Sequence, residues 1–133
     1  MRYMLDTDTC IYIMKHHPPQ ARERLRKIAL GQVGISSIVL AELMHGIAKS
    51  EHKRRNEEAL EDFLVYCEVR DWPCEAARIY GEVRTELERK GKTIGSNDLL
   101  IAVHALAINA ILVTNNRREF SRVASLKTQN WTL

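Results

Sequence analysis

Short apolar runs closed by polar residues alternate with segments whose apolar positions recur at helical spacing, the alternation that predicts strands and helices of a parallel α/β sheet. Tyr3-Met4-Leu5 is the first run, and Asp6 closes it. Ile11 to Met14 belong to a short helix that Pro18-Pro19 ends or restarts. Residues 20–29 read as a basic helix, and Gly31 to Ser36 as a second short strand flanked by turn residues. Ser36 or Ser37 then caps a helix carrying Ile38, Leu40, Leu43 and Ile47, with Glu42 in its second turn. Residues 51–66 form another helix, charged at first and apolar at Leu60, Phe63 and Leu64.

Cys67 to Trp72 fits a brief third strand ended by Pro73. From Glu75 to Lys90 apolar residues recur at Ala76, Ile79, Tyr80, Val83 and Leu87, a helical period that Gly91 stops. Ser96 caps the next helix, which runs to Ile108 and is apolar nearly all round, so it is predicted to be central and buried. Ile111 to Thr114 is an apolar strand suited to the middle of a parallel sheet, and a last short strand is expected near residues 126–128. The fold class is α/β: one domain spanning residues 1–133, a short central parallel sheet flanked by helices and doubly wound.

Composition adds bounds rather than chemistry. The chain has 133 residues, 45% apolar and 28% charged, an ordinary balance for one globular domain. No apolar run approaches the roughly 20 residues a membrane-crossing helix needs, and the opening Met-Arg-Tyr-Met-Leu-Asp lacks an apolar leader, so the expected place is the cytoplasm. Cys10, Cys67 and Cys74 have no metal-binding spacing and read as reduced thiols. Net charge is a mild +3, but basic residues cluster at Arg22, Arg24, Arg26 and Lys27, at Lys49, Lys53, Arg54 and Arg55, and at Arg117, Arg118 and Arg122. Three such clusters on one small domain predict contact with a nucleic-acid backbone, with Lys53, Arg54, Arg117 and Arg118 as the candidate residues.

The acidic positions carry the chemistry. Asp6 ends the first strand, Glu42 lies on the helix after the second, Asp98 in the first turn of the buried helix, and Asn116 and Glu119 just beyond the last long strand. Parallel topology brings strand carboxyl ends and the neighbouring helix starts to one edge, so these groups can share a cleft. Carboxylates crowded together raise one another's pKa unless a cation joins them, and hard oxygen donors suit Mg²⁺ or Mn²⁺. Such an ion activates water and stabilises charge on a phosphodiester.

Four motifs in order resemble one family. Tyr3-Met-Leu-Asp6-Thr-Asp-Thr-Cys, Ile35-Ser-Ser-Ile-Val-Leu-Ala-Glu42-Leu, Gly95-Ser-Asn-Asp98-Leu-Leu-Ile-Ala and Val113-Thr-Asn-Asn116-Arg-Arg-Glu119-Phe look like those of PIN-domain ribonucleases, and in size and detail of the VapC toxins of bacterial toxin–antitoxin pairs. The resemblance spans essentially the whole chain. It implies a Mg²⁺- or Mn²⁺-dependent endoribonuclease in which Asp6, Glu42 and Asp98 bind metal. Asn116 stands where many PIN domains carry Asp, so Glu119 is the candidate for the fourth catalytic carboxylate. Thr7, Ser96 and Asn116 would orient the acidic groups.

The same resemblance implies a structured RNA substrate, first of all the anticodon region of a tRNA, and cleavage that leaves a 5′-phosphate and inhibits translation. It further implies a homodimer neutralised by a cognate VapB-like antitoxin, whose apolar helix would pack near Leu43, Met44, Ile47 and the apolar face of residues 51–66. Two other readings compete. Asp6-Thr-Asp8-Thr9 also matches the nucleophile motif of aspartyl phosphatases, although the chain is short for that fold and no acidic pair follows a late strand. A PIN-like module that binds RNA without cutting it is the other, and the retained acids speak against it.

Overall fold

The computed structural model describes residues 1–133. Five strands, β1 (Tyr3–Leu5), β2 (Val33–Ser36), β3 (Glu68–Arg70), β4 (Ile111–Val113) and β5 (Thr128–Gln129), pair in parallel in the order β3-β2-β1-β4-β5. Between them run α1 (Thr7–Lys15), α2 (Pro19–Arg26), α3 (Ser37–Ala48), α4 (Lys53–Leu64), α5 (Ala76–Arg89), α6 (Ser96–Ala107) and α7 (Arg117–Phe120). The chain steps outward from β1 to β3, then returns to the far side of β1 with β4 and β5. Strand order therefore reverses between β1 and β4, and the carboxyl ends of those strands frame the crevice where open α/β sheets bind ligands.

The central strands are buried on both faces, which is why they read as continuous apolar runs: Met4, Leu5, Ile35, Leu112 and Val113 expose no surface. β3, at the edge, is exposed along its length. The sheet registers Leu5 against Val113, and the Asp6 amide donates to the Val113 carbonyl at 3.0 Å, so the first acidic residue leaves the sheet at its centre. α6 is the buried helix that its composition predicts, with Leu99, Ile101, Ala102, Val103, His104 and Ala105 in the core. His104 Nδ1 lies 2.8 Å from Ser36 Oγ, and burial, with Arg70 nearby, holds its pKa below the ordinary histidine value.

Local differences from the sequence-based expectations have physical causes. The basic helix stops at Arg26, with Lys27 as its cap. The last strand forms two residues later than expected, at Thr128–Gln129. Gly95, not Ser96, is the N-cap of α6, in extended backbone with no side-chain cap. α7 is a single turn after β4, too short to show any period. β2 carries Gly34 because β3 passes close beside it: a Cβ there would sit 2.8 Å from the Glu68 carbonyl oxygen and inside the Met1 side chain. Gly34→Ala is expected to destabilise the fold by about 1–3 kcal/mol, as other overpacked cores are. A urea titration should show a lower midpoint with unchanged slope; an unshifted midpoint would mean that the sheet yields without cost.

Candidate active site

Asp6 follows β1 and caps α1. Its backbone is extended, its side chain accepts from the Thr9 amide at 2.9 Å, and Thr9 Oγ1 in turn donates to the Val113 carbonyl at 3.2 Å. Asp6 is 6% exposed, and burial raises its pKa against the opposing effect of hydrogen bonds from the Thr114 hydroxyl and the Thr9 amide. Capping a helix at the switch point of the sheet fixes this carboxylate where the strand ends.

Glu42 reaches this edge from the second turn of α3, whose N-cap Ser36 ends β2 and accepts from the Ile38 amide at 3.1 Å. Glu42 is half-buried, but its neighbours Ala41 and Met44 are exposed, so apolar burial is not what singles it out. Its two oxygens are each taken by a donor from another helix: Thr7 Oγ1 donates to Oε1 at 2.5 Å, and Asn97 Nδ2 to Oε2 at 3.3 Å. Thr7 thus ties the start of α1 to the Glu42 carboxylate.

Asp98 sits in the first turn of α6, half-buried. Burial, then the charges of Glu119, Glu42, Asp6 and Asp8, push its pKa up to about 6. Glu119 is the strongest of these charged neighbours. It stands on α7 and is held from two sides, by the Gly95 amide on Oε1 at 3.3 Å and by Asn116 Nδ2 on Oε2 at 2.7 Å. Asn116 is itself set by a bond from its amide to Thr114 Oγ1 at 2.9 Å. Asn116 therefore serves Glu119 as a hydrogen-bond donor, and the acidic group of this corner is Glu119.

An open cleft of about 350 Å³ lies against Glu42, Gly95, Ser96, Asn97 and Asp98 with no apolar wall. Ser96 lines it but its hydroxyl holds none of the carboxylates; that part is played by the adjacent amide of Asn97 and by the Gly95 N–H. Every ion pair of the protein lies elsewhere, so Asp6, Glu42, Asp98 and Glu119 have no Lys or Arg against them. Hard oxygen donors with unbalanced charge fit Mg²⁺ or Mn²⁺. No three acidic, histidine or cysteine side chains form a ready-made coordination sphere. The set therefore suits an ion that keeps several waters beside its carboxylates.

The basic candidates lie outside the lining of this cleft. Arg117 and Arg118 are exposed on α7, Arg117 donating to Thr128 Oγ1 at 3.3 Å, while Lys53 and Arg54 are exposed at the start of α4. Part of the α2 cluster is spent inside the molecule: Arg24 stacks over Trp131 and donates to Gln129, and Arg22 donates to His16. Beside the acidic cleft runs a groove of about 260 Å³ whose walls include Ile11, Met14, Leu43, Ile47 and Leu60, with Glu42 at its rim. Met44, expected with them, is outside the groove lining and half-exposed. Sequence reasoning missed Thr9, Thr114, Gly95 and Asn97. Only Asn97, a first-turn amide next to a candidate acid, offered a signal in the sequence.

A parallel sheet that gathers carboxylates at its switch point, with their charge left unbalanced, defines the class of acidic α/β sites built for hard cations. The chain matches the PIN domain model over residues 3–126. It is 49% identical to Ribonuclease VapC2 of Rickettsia felis over 132 residues, 98% of each chain. It is 41% identical to the tRNA(fMet)-specific endonuclease VapC of Shigella flexneri over 131 residues, again 98% of each. Its fold superposes with a TM-score of 0.91, at 48% identity and over 98% of this chain and 99% of that one, on a chain in the crystal structure of VapBC2 from Rickettsia felis bound to a DNA fragment from its promoter. The chain belongs to the PIN-domain family and, within it, to the VapC group.

Proposed function

We propose that this protein is a Mg²⁺- or Mn²⁺-dependent endoribonuclease toxin that cuts structured RNA, a tRNA anticodon region first of all, and so inhibits translation in the cytoplasm. The observation that carries this reading is Asp98, lodged among Glu119, Glu42 and Asp6 with no basic partner and raised to about 6. The names of the relatives, a ribonuclease and a tRNA endonuclease, support the reaction and the substrate class.

In this reading Asp6, Glu42 and Asp98 hold the ion, and Glu119, fixed by Asn116 and the Gly95 amide, takes up the proton of the attacking water. When bound, the ion supplies positive charge against the phosphodiester and makes a water acidic enough to lose that proton. Attack in line with the leaving 3′-oxygen breaks the P–O3′ bond and leaves a 5′-phosphate and a 3′-hydroxyl. Arg117, Arg118, Lys53 and Arg54 grip the RNA backbone, which makes binding strongly salt-dependent.

The groove between α1, α3 and α4 receives the apolar segment of a cognate VapB-like antitoxin, and a basic side chain of that partner enters past Glu42 at its rim. The toxin acts as a homodimer. The solved relative, described as VapBC2, supports the antitoxin partnership. The aspartyl-phosphatase reading finds no support: Asp8, which it needs as acid and base, is an exposed residue of the first helical turn.

Incubation of the purified protein with a bacterial tRNA pool is expected to yield one discrete fragment pair with a 5′-phosphate end in Mg²⁺ and none with chelator. Cutting that persists in chelator would overturn the metal dependence. RNA bound without any cut would make the protein a binding module.

A further inference from the structure

We infer that Asn97 is a positioning residue for this chemistry, its amide and the Thr7 hydroxyl together clamping the Glu42 carboxylate into the acidic cleft. The inference rests on the metal-dependent reading above and adds a residue to it.

Glu42 comes from the second turn of a helix rather than from the sheet edge, and a glutamate has three side-chain torsions to fix. Immobilising such a side chain costs up to about 2 kcal/mol, so its placement needs partners. The structure supplies two, one on each oxygen, from the first turns of α1 and α6. An ionised carboxylate only accepts, so it is the Nδ2 face of Asn97 that turns towards it. Both donors are neutral. A Lys or Arg in either place would hold Glu42 as firmly but would cancel the charge that a cation needs.

Asn97 is also the residue directly before Asp98. The same helical turn therefore delivers one carboxylate and fixes another 55 residues away, which ties their separation to α6. Nothing in the fold requires this amide. Asn97 is exposed, Gly95 rather than Asn97 caps the helix, and its only side-chain hydrogen bond goes to Glu42.

The test compares the parent with Asn97→Ala, Asn97→Leu, Glu42→Gln and the Glu42→Gln/Asn97→Ala pair. Mn²⁺ binding to the metal-free proteins is measured by calorimetry, and kcat and KM for tRNA cleavage are measured separately. Loss of the amide is expected to weaken Mn²⁺ binding about tenfold, the usual scale for a group that orients a metal ligand. In the same variants kcat should fall by a similar factor, while KM stays within about twofold and the melting temperature within roughly 2 °C. In the Glu42→Gln background, Asn97→Ala should add nothing to the loss of Mn²⁺ affinity, because its whole effect runs through Glu42.

Parental Mn²⁺ affinity and kcat in Asn97→Ala would overturn the clamp. So would a change confined to KM, which marks an RNA contact, or a loss of equal size with and without Glu42. A parent that binds no Mn²⁺ overturns the metal reading, and the clamp with it. If the parent binds Mn²⁺ and Glu42→Gln weakens it while Asn97→Ala does not, the clamp alone fails.

Discussion

Asp98→Asn protein is expected to lose RNA cleavage by about a thousandfold or more, equivalent to roughly 4 kcal/mol of transition-state stabilisation, while melting at or above the parental temperature without metal. The two effects share one cause. Burial and the charges of Glu119, Glu42, Asp6 and Asp8 raise the Asp98 pKa from 3.8 to about 6, so the folded state holds a carboxylate that resists ionising. The sign follows from linkage. Below pH about 4 both folded and unfolded chains keep the proton, and the penalty is absent; between about 4 and 6 the unfolded chain ionises first and stability falls; above about 6 the penalty is complete.

Metal-free parent should therefore gain stability as pH drops from 6 towards 4, and Asp98→Asn should remove that part of the profile. After allowance for screening by solvent the penalty is on the order of 1 kcal/mol, a few degrees of melting temperature. Saturating Mg²⁺ should invert the order, because only the parent gains the linked binding free energy. Melting curves at pH 5 and 7.5, with and without Mg²⁺, check all of this. An Asp98→Asn protein that cuts at the parental rate, or melts several degrees lower, would sink the assignment.

Asp6 offers the second test, because two jobs meet in one side chain and two substitutions separate them. Asp6→Asn removes the charge but keeps an oxygen for the Thr9 amide, and asparagine caps helices about as well as aspartate. Asp6→Ala removes both. Each variant is expected to lose cleavage by about a thousandfold, but only Asp6→Ala should lose stability, by about 0.5–2 kcal/mol for the missing cap. Single-turnover cleavage and urea unfolding on the same preparations decide the matter. If Asp6→Asn retains a tenth of the parental rate, the charge of Asp6 is dispensable; if both variants unfold alike, the cap is of no energetic consequence.

The elements that place the site were legible where burial is complete. β1 and β4 are apolar on both faces and α6 nearly all round, and the fold has them at or within a residue of their expected bounds. Punctuation was legible too: Gly91, at a φ of 65°, follows α5, and Ser36 caps α3. α7 was not, since four residues carry no period.

Among the acids, Glu42 was singled out by its place in the second turn of the helix after β2, which does not show what holds it. Its neighbours Ala41 and Met44 are exposed, and its hydrogen-bond partners are Thr7 and Asn97 from two other helices. Asn97, a first-turn amide beside a candidate acid, gave a signal too commonplace to single it out; its meaning comes from the approach of α3 to α6. Asn116 next to Glu119 posed an ambiguity that spacing could not resolve, and a 2.7 Å hydrogen bond between them gives the two residues separate parts.

The switch point has a further consequence in time. The carboxylates that gather there come from residue 6 and residue 119 and from two helices between, and β1 finds its neighbour β4 only near the end of the chain. A ribosome making this protein holds, until then, a nascent chain with Asp6 at a sheet edge still missing a strand, and with Glu119 not yet synthesised. The four acids are thus first present together, and β1 first fully paired, only in the last fifth of the chain.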